Sequence, residues 1–215
     1  MTMSNIWRLV GFCTKIRKEL SILLGIALAV VLMQQSSFAK VCQQIRQDTL
    51  RLHIRAASDS VQDQEEKLAV RDAILQQAEE LFANQTNRQQ AEESVQQNLE
   101  QIQQVASDVL KSRGSDHTAQ VYLTEMLFDT IEYEGFTMPA GEYHALRVDI
   151  GEAEGKNWWC VMFPPLCIPA AQPVEEVECY SQQEKELLQG GYEIRFALVE
   201  WWQHLSAKTP SYDGC

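Results

Sequence analysis

Residues 157–167 constrain the fold more than any other stretch, because eleven positions hold two tryptophans, two prolines and two cysteines. Pro164 and Pro165 have no backbone donor and cannot lie inside a helix or a central strand. The adjacent indoles carry a large apolar area that favours burial. The run therefore predicts a short strand that enters a rigid turn, a corner of the core. Outside the cytosol, Cys160 and Cys167 are close enough in sequence to close a disulfide loop over that turn.

The N-terminus has the residue order of an export signal. Basic residues precede an apolar run from Leu20 to Met33, and small residues follow at Ser37 and Ala39. This is the arrangement of a signal peptide, although a slightly longer apolar run would serve as an uncleaved anchor. We predict that residues 1–39 are a signal peptide or an N-terminal membrane anchor and that residues 40–215 form a single extracytoplasmic domain.

The predicted domain is strongly acidic. The chain carries 18 basic and 30 acidic residues, and four basic residues against one glutamate make residues 1–39 net +3, which leaves −15 for the remainder. Such a surface repels phosphate backbones and anionic lipid heads. We therefore expect no nucleic-acid partner, and contact with a membrane only through the N-terminal segment if that segment is uncleaved.

Five cysteines follow the export segment, and an odd number leaves at least one without an intramolecular partner. Pairing of Cys160 with Cys167 is the interpretation we favour. A second bridge from Cys42 to Cys215 would tie the ends of the domain together and would leave Cys179 over.

Hydrophobic periodicity predicts the first elements of the domain. Residues 50–55 alternate apolar and polar side chains, the pattern of a half-buried strand with an exposed polar face. Ser60 and Thr86 then precede two long amphipathic patterns in the positions of helix N-caps. Because the connection between the two patterns is short, we expect an antiparallel helix pair packed on the sheet.

The second half of the domain reads mainly as strands. Strand patterns run from Ala119 to residue 163, interrupted by a turn region from Gly135 to Gly141, and a last helix is predicted from Ile194 to Leu205. The predicted fold class is α+β: a mainly antiparallel sheet with two long antiparallel helices packed on it and a C-terminal helix.

Motifs for catalysis are missing from the sequence. The four histidines have no metal-ligand spacing, and neither a nucleophile elbow nor a phosphate loop occurs. We predict no catalytic residue, no metal ligand and no cofactor. His53 in the first strand and Asp59 just after it are the best candidates for a polar site, and the simpler interpretation is an exposed strand face with a helix-entry turn.

Three blocks of residues resemble the stage II sporulation protein R (SpoIIR) family of endospore-forming bacteria. The blocks are Leu50 to Ser60, Pro139 to Gly151 and Asn157 to Cys167. The likeness extends to about Trp201. Ala57 departs from the family pattern, which usually has an asparagine before Ser-Asp-Ser, so a polar role at that position is in doubt.

The resemblance implies a secreted signal and not an enzyme. Proteins of this family are made in the forespore, pass into the intermembrane space and activate the membrane-embedded aspartic protease SpoIIGA, which processes the precursor of sigma factor E in the mother cell. A SpoIIGA-like protease is thus the expected partner. Clustered aromatics on a rigid turn suit an interface hot spot. The candidate partner-binding residues are Trp158, Trp159, Phe163, Pro164, Pro165, His53 and Asp59.

Two enzymatic alternatives remain. The first is a secreted hydrolase acting on cell-wall material, with His53 and Asp59 as its acid–base pair. The second is a thiol oxidoreductase using Cys160 and Cys167, but six residues separate these cysteines where a redox motif has two. Both alternatives require their residue pair to be close together and reachable by a substrate.

Overall fold

A computed structural model of the chain describes residues 3–166 and 173–190. The chain divides into two compact units, residues 1–40 and 41–215. Helix α1, Met3–Asp48, begins in the first unit and ends in the second. Within the first unit it exposes large apolar side chains, among them Leu20 and Leu24. Among the residues described, no helix is both long enough and apolar enough to cross a membrane.

The remaining elements belong to the second unit. In chain order they are β1 Leu50–Arg55, α2 Val61–Phe82, α3 Arg88–Gln97, α4 Leu99–Ser112, β2 Ala119–Phe128, β3 Ile131–Tyr133, β4 Phe136–Met138, β5 Gly141–Ile150, β6 Asn157–Phe163, a 3₁₀ turn Val174–Glu176, and α5 Gln182–Gln189. The predicted C-terminal helix, Ile194 to Leu205, lies outside the described residues.

Four strands form the main sheet, in the order β2-β5-β1-β6. β1 is parallel to β5 and antiparallel to β6, and β2 is antiparallel to β5. In this register His53 lies between Arg147 and Trp159. The strand pairs are mostly antiparallel and helices pack on the sheet, so the predicted α+β class is confirmed.

One face of the sheet is covered by α2, α3 and α4. Leu50, Leu52 and Ile54 point into this first core and are fully buried. Helix α2 begins where the sequence predicted, because the Ser60 hydroxyl accepts a hydrogen bond from the Asp63 amide at 3.1 Å.

The second predicted helix is in fact two helices. α3 is capped by Asn87, one residue after Thr86, and the helix breaks at Asn98, whose ψ of 13° is not helical. The side-chain Nδ2 of Asn98 donates to the Ser94 carbonyl at 2.8 Å. A side-chain bond of this kind competes with the helical backbone bonds, and it stabilises the break.

The other face of the sheet is also buried, so the prediction of an exposed polar face on β1 is wrong. A second core, which includes Ile45, Met138, Tyr143 and Leu188, covers this face. It is built by the end of α1, by α5 and by the β3–β4 hairpin. β4 lies inside the region predicted as a turn, and the two glycines that bound this region, Gly135 with φ of +90° and Gly141 with φ of +145°, have positive φ.

Candidate functional site

The two adjacent tryptophans of β6 point to opposite faces of the sheet. Trp158 packs on the first core with the Arg71 guanidinium 4.2 Å above its ring. Trp159 packs on the second core, stacked on His53 at 4.0 Å between ring centroids and edge-on to Phe128 at 4.9 Å. Neighbouring strand residues alternate sides. The two indoles therefore do not form one hot spot, contrary to the expectation of a single aromatic patch.

The end of β6 and the turn after it form the predicted corner. Phe163 is 4% exposed and packs edge-on against Phe82, with ring centroids 5.6 Å apart. Pro164 is buried and Pro165 is half-buried. The corner is thus part of the core, and of these residues Pro165 keeps the most surface for a partner.

The structure describes only some of the cysteines. Cys160 is fully buried, and Cys167 lies outside the described residues, so their bridge stays a prediction. Cys179 carries a thiol, as expected, whereas Cys215 lies outside the described residues, so the bridge from Cys42 to Cys215 stays a prediction.

A cavity of about 860 Å³ opens beside this corner, between α2, the end of β6 and residues 176–179. Its apolar walls include Leu75, Phe82, Phe163, Pro164, Pro165 and Val177. We call this surface the proline groove. Three exposed carboxylates, Glu79, Glu176 and Glu178, line it as well. The groove therefore combines an apolar floor with a negatively charged rim.

A buried arginine lies at the centre of the second face. Arg51 is fully buried, and its Nε donates to the Cys160 carbonyl at 2.9 Å while its Nη2 donates to the Tyr133 hydroxyl at 2.8 Å. The guanidinium carbon lies 4.4 Å from the Phe128 ring centroid, within cation–π range. The Tyr133 hydroxyl in turn donates to the Trp159 carbonyl at 3.2 Å. This network ties β1 and β6 to the β3–β4 hairpin, and its role is structural.

His53 is buried beside this network and is held neutral. Its Nε2 donates to Asn157 Oδ1 at 2.8 Å, which leaves Nδ1 unprotonated and without a hydrogen-bond partner. Burial, reinforced by the Arg147 cation, lowers the pKa of His53 to about 4, although the Asn157 hydrogen bond opposes the shift. His53 is 2% exposed, so its ring is not accessible to a partner or a substrate.

Asp59 is exposed and makes a different contact. Its Oδ1 accepts a hydrogen bond from the Lys156 amide at 2.8 Å and so ties the β1–α2 connection to the loop before β6. No hydrogen bond or ion pair joins Asp59 to His53. The structure therefore does not bring together the pair that a hydrolase would need.

A cluster that the sequence did not predict lies at the start of α2. Asp63, Glu66 and His117 each point one ligand-type atom at a common region, and these atoms lie within 4.8 Å of one another. The two carboxylates are buried and the imidazole is partly exposed. A spacing of three residues between Asp63 and Glu66 was the only local signal, because His117 lies 54 positions beyond Asp63.

The fold and the proline groove define an α+β domain with a concave surface beside the end of β6. Residues 46–172 match the family model of stage II sporulation protein R. The chain is also similar to stage II sporulation protein R of Bacillus subtilis (strain 168), with 30% identity over 181 residues that cover 73% of this chain and 81% of that protein. The chain therefore belongs to the stage II sporulation protein R family and is a sporulation protein. No solved structure matches it.

Proposed function

We propose that this chain is a secreted developmental signal that activates a membrane-embedded aspartic protease of the SpoIIGA type. That protease would then process the precursor of sigma factor E in the mother cell. The signal would pass from the forespore into the intermembrane space, secreted or held by its N-terminal segment. The observation that carries the proposal is family membership over residues 46–172.

The proline groove is the contact surface we propose for the protease. It contains Phe163, Pro164 and Pro165 of the predicted partner-binding residues, and its floor suits an apolar anchor. Its rim glutamates and the acidic domain favour a partner segment in which basic residues flank that anchor, because complementary charge speeds encounter. The proposed occupant is thus an extracytoplasmic segment of the protease with an apolar centre and cationic flanks.

Activation would work by a shift in population. Binding would favour a protease state, such as a dimer, in which two aspartates meet in one active site. To move a protease from about 1% to about 99% active, the signal must bind the active state about 10⁴-fold more tightly than the inactive state. Both aspartates would belong to the protease, and this chain would contribute binding energy alone.

The test is precursor cleavage in a heterologous bacterial host that expresses the protease and the precursor, with and without the full chain. We expect cleavage only when the chain is present. A triple variant reverses the groove rim: Glu79→Lys, Glu176→Lys and Glu178→Lys. A control makes the same charge change at three exposed glutamates that do not line the groove: Glu93→Lys, Glu100→Lys and Glu152→Lys.

The two variants separate the groove from general charge. The groove variant should reduce cleavage by about tenfold or more, because reversed rim charges oppose association, and the control should retain it. Equal loss in both variants would reject the groove while leaving the signalling function intact. Cleavage that is independent of the chain, with all partners located in the membrane, would reject the function itself.

The hydrolase alternative has no support from the geometry of the described residues. Of its two proposed residues, His53 is 2% exposed and hydrogen-bonded to Asn157, and Asp59 accepts a hydrogen bond from the Lys156 amide. Release of soluble fragments from purified cell wall by the wild-type chain, lost in Asp59→Asn, would restore that alternative.

A further inference from the structure

Three side chains at the start of α2 have the chemistry and the spacing of metal ligands. Asp63 and Glu66 lie one helical turn apart on the same side of α2, and His117 approaches from the loop between α4 and β2. His117 Nε2 lies 3.3 Å from Asp63 Oδ1. Two tetrahedral ligands with metal bonds of about 2.1 Å lie about 3.4 Å apart. This pair therefore already has the separation that one zinc ion requires.

The Glu66 carboxylate is buried and has no described lysine or arginine as a partner. Glu66 is 1% exposed. Its carboxylate accepts hydrogen bonds from two neutral groups, Ser115 Oγ at 2.8 Å and Gln62 Nε2 at 2.9 Å. Within the described part of the chain, no lysine or arginine forms an ion pair with Glu66 or Asp63. A buried carboxylate charge is normally paired with a cation or bound to a metal. Asp63, the second carboxylate of the cluster, has the His117 imidazole as its one ion-pair partner among the described residues.

Surrounding groups orient the three ligands. The Ser58 hydroxyl donates to Asp63 Oδ2, which leaves Oδ1 directed at His117. Gly151, with φ of +57°, lies against the back of the imidazole, and a Cβ there would be 2.9 Å from His117 Nδ1. Partners of this kind fix the direction of metal ligands in known sites. The His117 ring can thus take this position only because residue 151 has no side chain.

We propose that Asp63, Glu66 and His117 bind one divalent transition-metal ion, with zinc as the fitting metal. Two carboxylates and one imidazole suit zinc, whereas calcium and magnesium prefer oxygen ligands only. The His117 side chain is 39% exposed, so water has access to the fourth position. The bound ion would clamp the start of α2 to the loop before β2.

The test is a zinc titration monitored by isothermal titration calorimetry. It uses the full chain in detergent, after dialysis against a chelator. We expect one zinc ion per chain and a higher melting temperature with zinc. Glu66→Gln keeps the size of the side chain and His117→Ala removes the nitrogen ligand, so each should weaken zinc binding by more than tenfold. Ser115→Ala, which loses an orienting bond, should weaken it by about 10- to 100-fold.

His144→Ala is the matched control. His144 also contacts two carboxylates, Glu92 at 2.9 Å and Glu125 at 3.1 Å, but through opposite ring nitrogens, so one ion cannot bridge all three side chains. This variant should bind zinc like the wild-type chain. Zinc should also shift the ring resonances of His117 before those of the other histidines in the wild-type chain, which needs no variant to fold.

Several outcomes would overturn the proposal. One is the lack of stoichiometric zinc binding by the wild-type chain. Another is binding that His117→Ala and Glu66→Gln leave unchanged, or binding that calcium replaces at the same concentration. The first two results would assign the cluster to hydrogen bonding alone, and the third would show a cation site that does not select a transition metal.

Discussion

Replacing His53 by phenylalanine should reduce the loss of stability between pH 6.5 and pH 4. In the folded chain the pKa of His53 is about 4, chiefly because of burial, whereas an unfolded histidine has a pKa of 6.5. The unfolded state therefore binds the proton first as the pH falls. The neutral histidine contributes no penalty above pH 6.5, and the penalty grows as the pH falls through this window and is complete below about pH 4.

The size of the effect follows from the two pKa values. The gap between 6.5 and about 4, at about 1.4 kcal/mol for each pH unit, corresponds to about 3 kcal/mol of unfolding free energy. Phenylalanine keeps a ring against Trp159 and loses the hydrogen bond to Asn157, which costs about 1 kcal/mol at every pH. The wild-type chain should thus be more stable at neutral pH and less stable than the variant at about pH 4.

Chemical denaturation monitored by tryptophan fluorescence, from neutral pH to about pH 4, measures the pH at which the two proteins are equally stable. The carboxylates titrate in both proteins, so their contribution cancels in the difference between them. A difference that stays constant over the whole range would refute the reasoning. It would mean that His53 takes up its proton equally well in the folded and unfolded chains.

Three further substitutions test the packing, all by chemical denaturation. Tyr133→Phe leaves the Nη2 donor of Arg51 without its partner and should cost about 1–3 kcal/mol; an unchanged midpoint would show that this bond adds nothing. Gly155→Ala places a Cβ against the Ser58 carbonyl oxygen and should cost about 3 kcal/mol, and a neutral result would contradict the close approach. Ser181→Ala removes the capping box of α5 and should cost about 1 kcal/mol of stability. An unchanged stability would contradict this role of Ser181.

Local patterns predicted the elements whose causes lie close together in sequence. The alternation at residues 50–55 indicated β1, and Ser60 marked the start of α2 because the cap and its amide are three residues apart. The break at Asn98 was missed, since the apolar stripe continues across it while one side-chain hydrogen bond decides the backbone. Periodicity reports which face is apolar and does not report such bonds.

The hydrogen-bond network of Arg51 and the cluster of Asp63, Glu66 and His117 could not be predicted from the sequence, for a different reason. Arg51 looks like an exposed strand residue until the chain brings Tyr133 to it from 82 positions away. His117 and Asp63 are 54 positions apart. The hydroxyl, carbonyl and aromatic groups that make burial of such side chains tolerable come from distant strands. One sequence does not show which strands meet.

The position of β1 in the sheet has a consequence for the order of folding. β1 is the first strand of the chain, yet both of its neighbours, β5 and β6, are the last strands of that sheet to be synthesised. The bond from Arg51 to the Cys160 carbonyl spans 109 positions. Contacts over such distances form slowly, because a long loop must close before they stabilise anything. A growing chain that has not reached β5 therefore keeps β1 unpaired and open to proteases, and β1 gains its second neighbour only when the chain has reached residue 163.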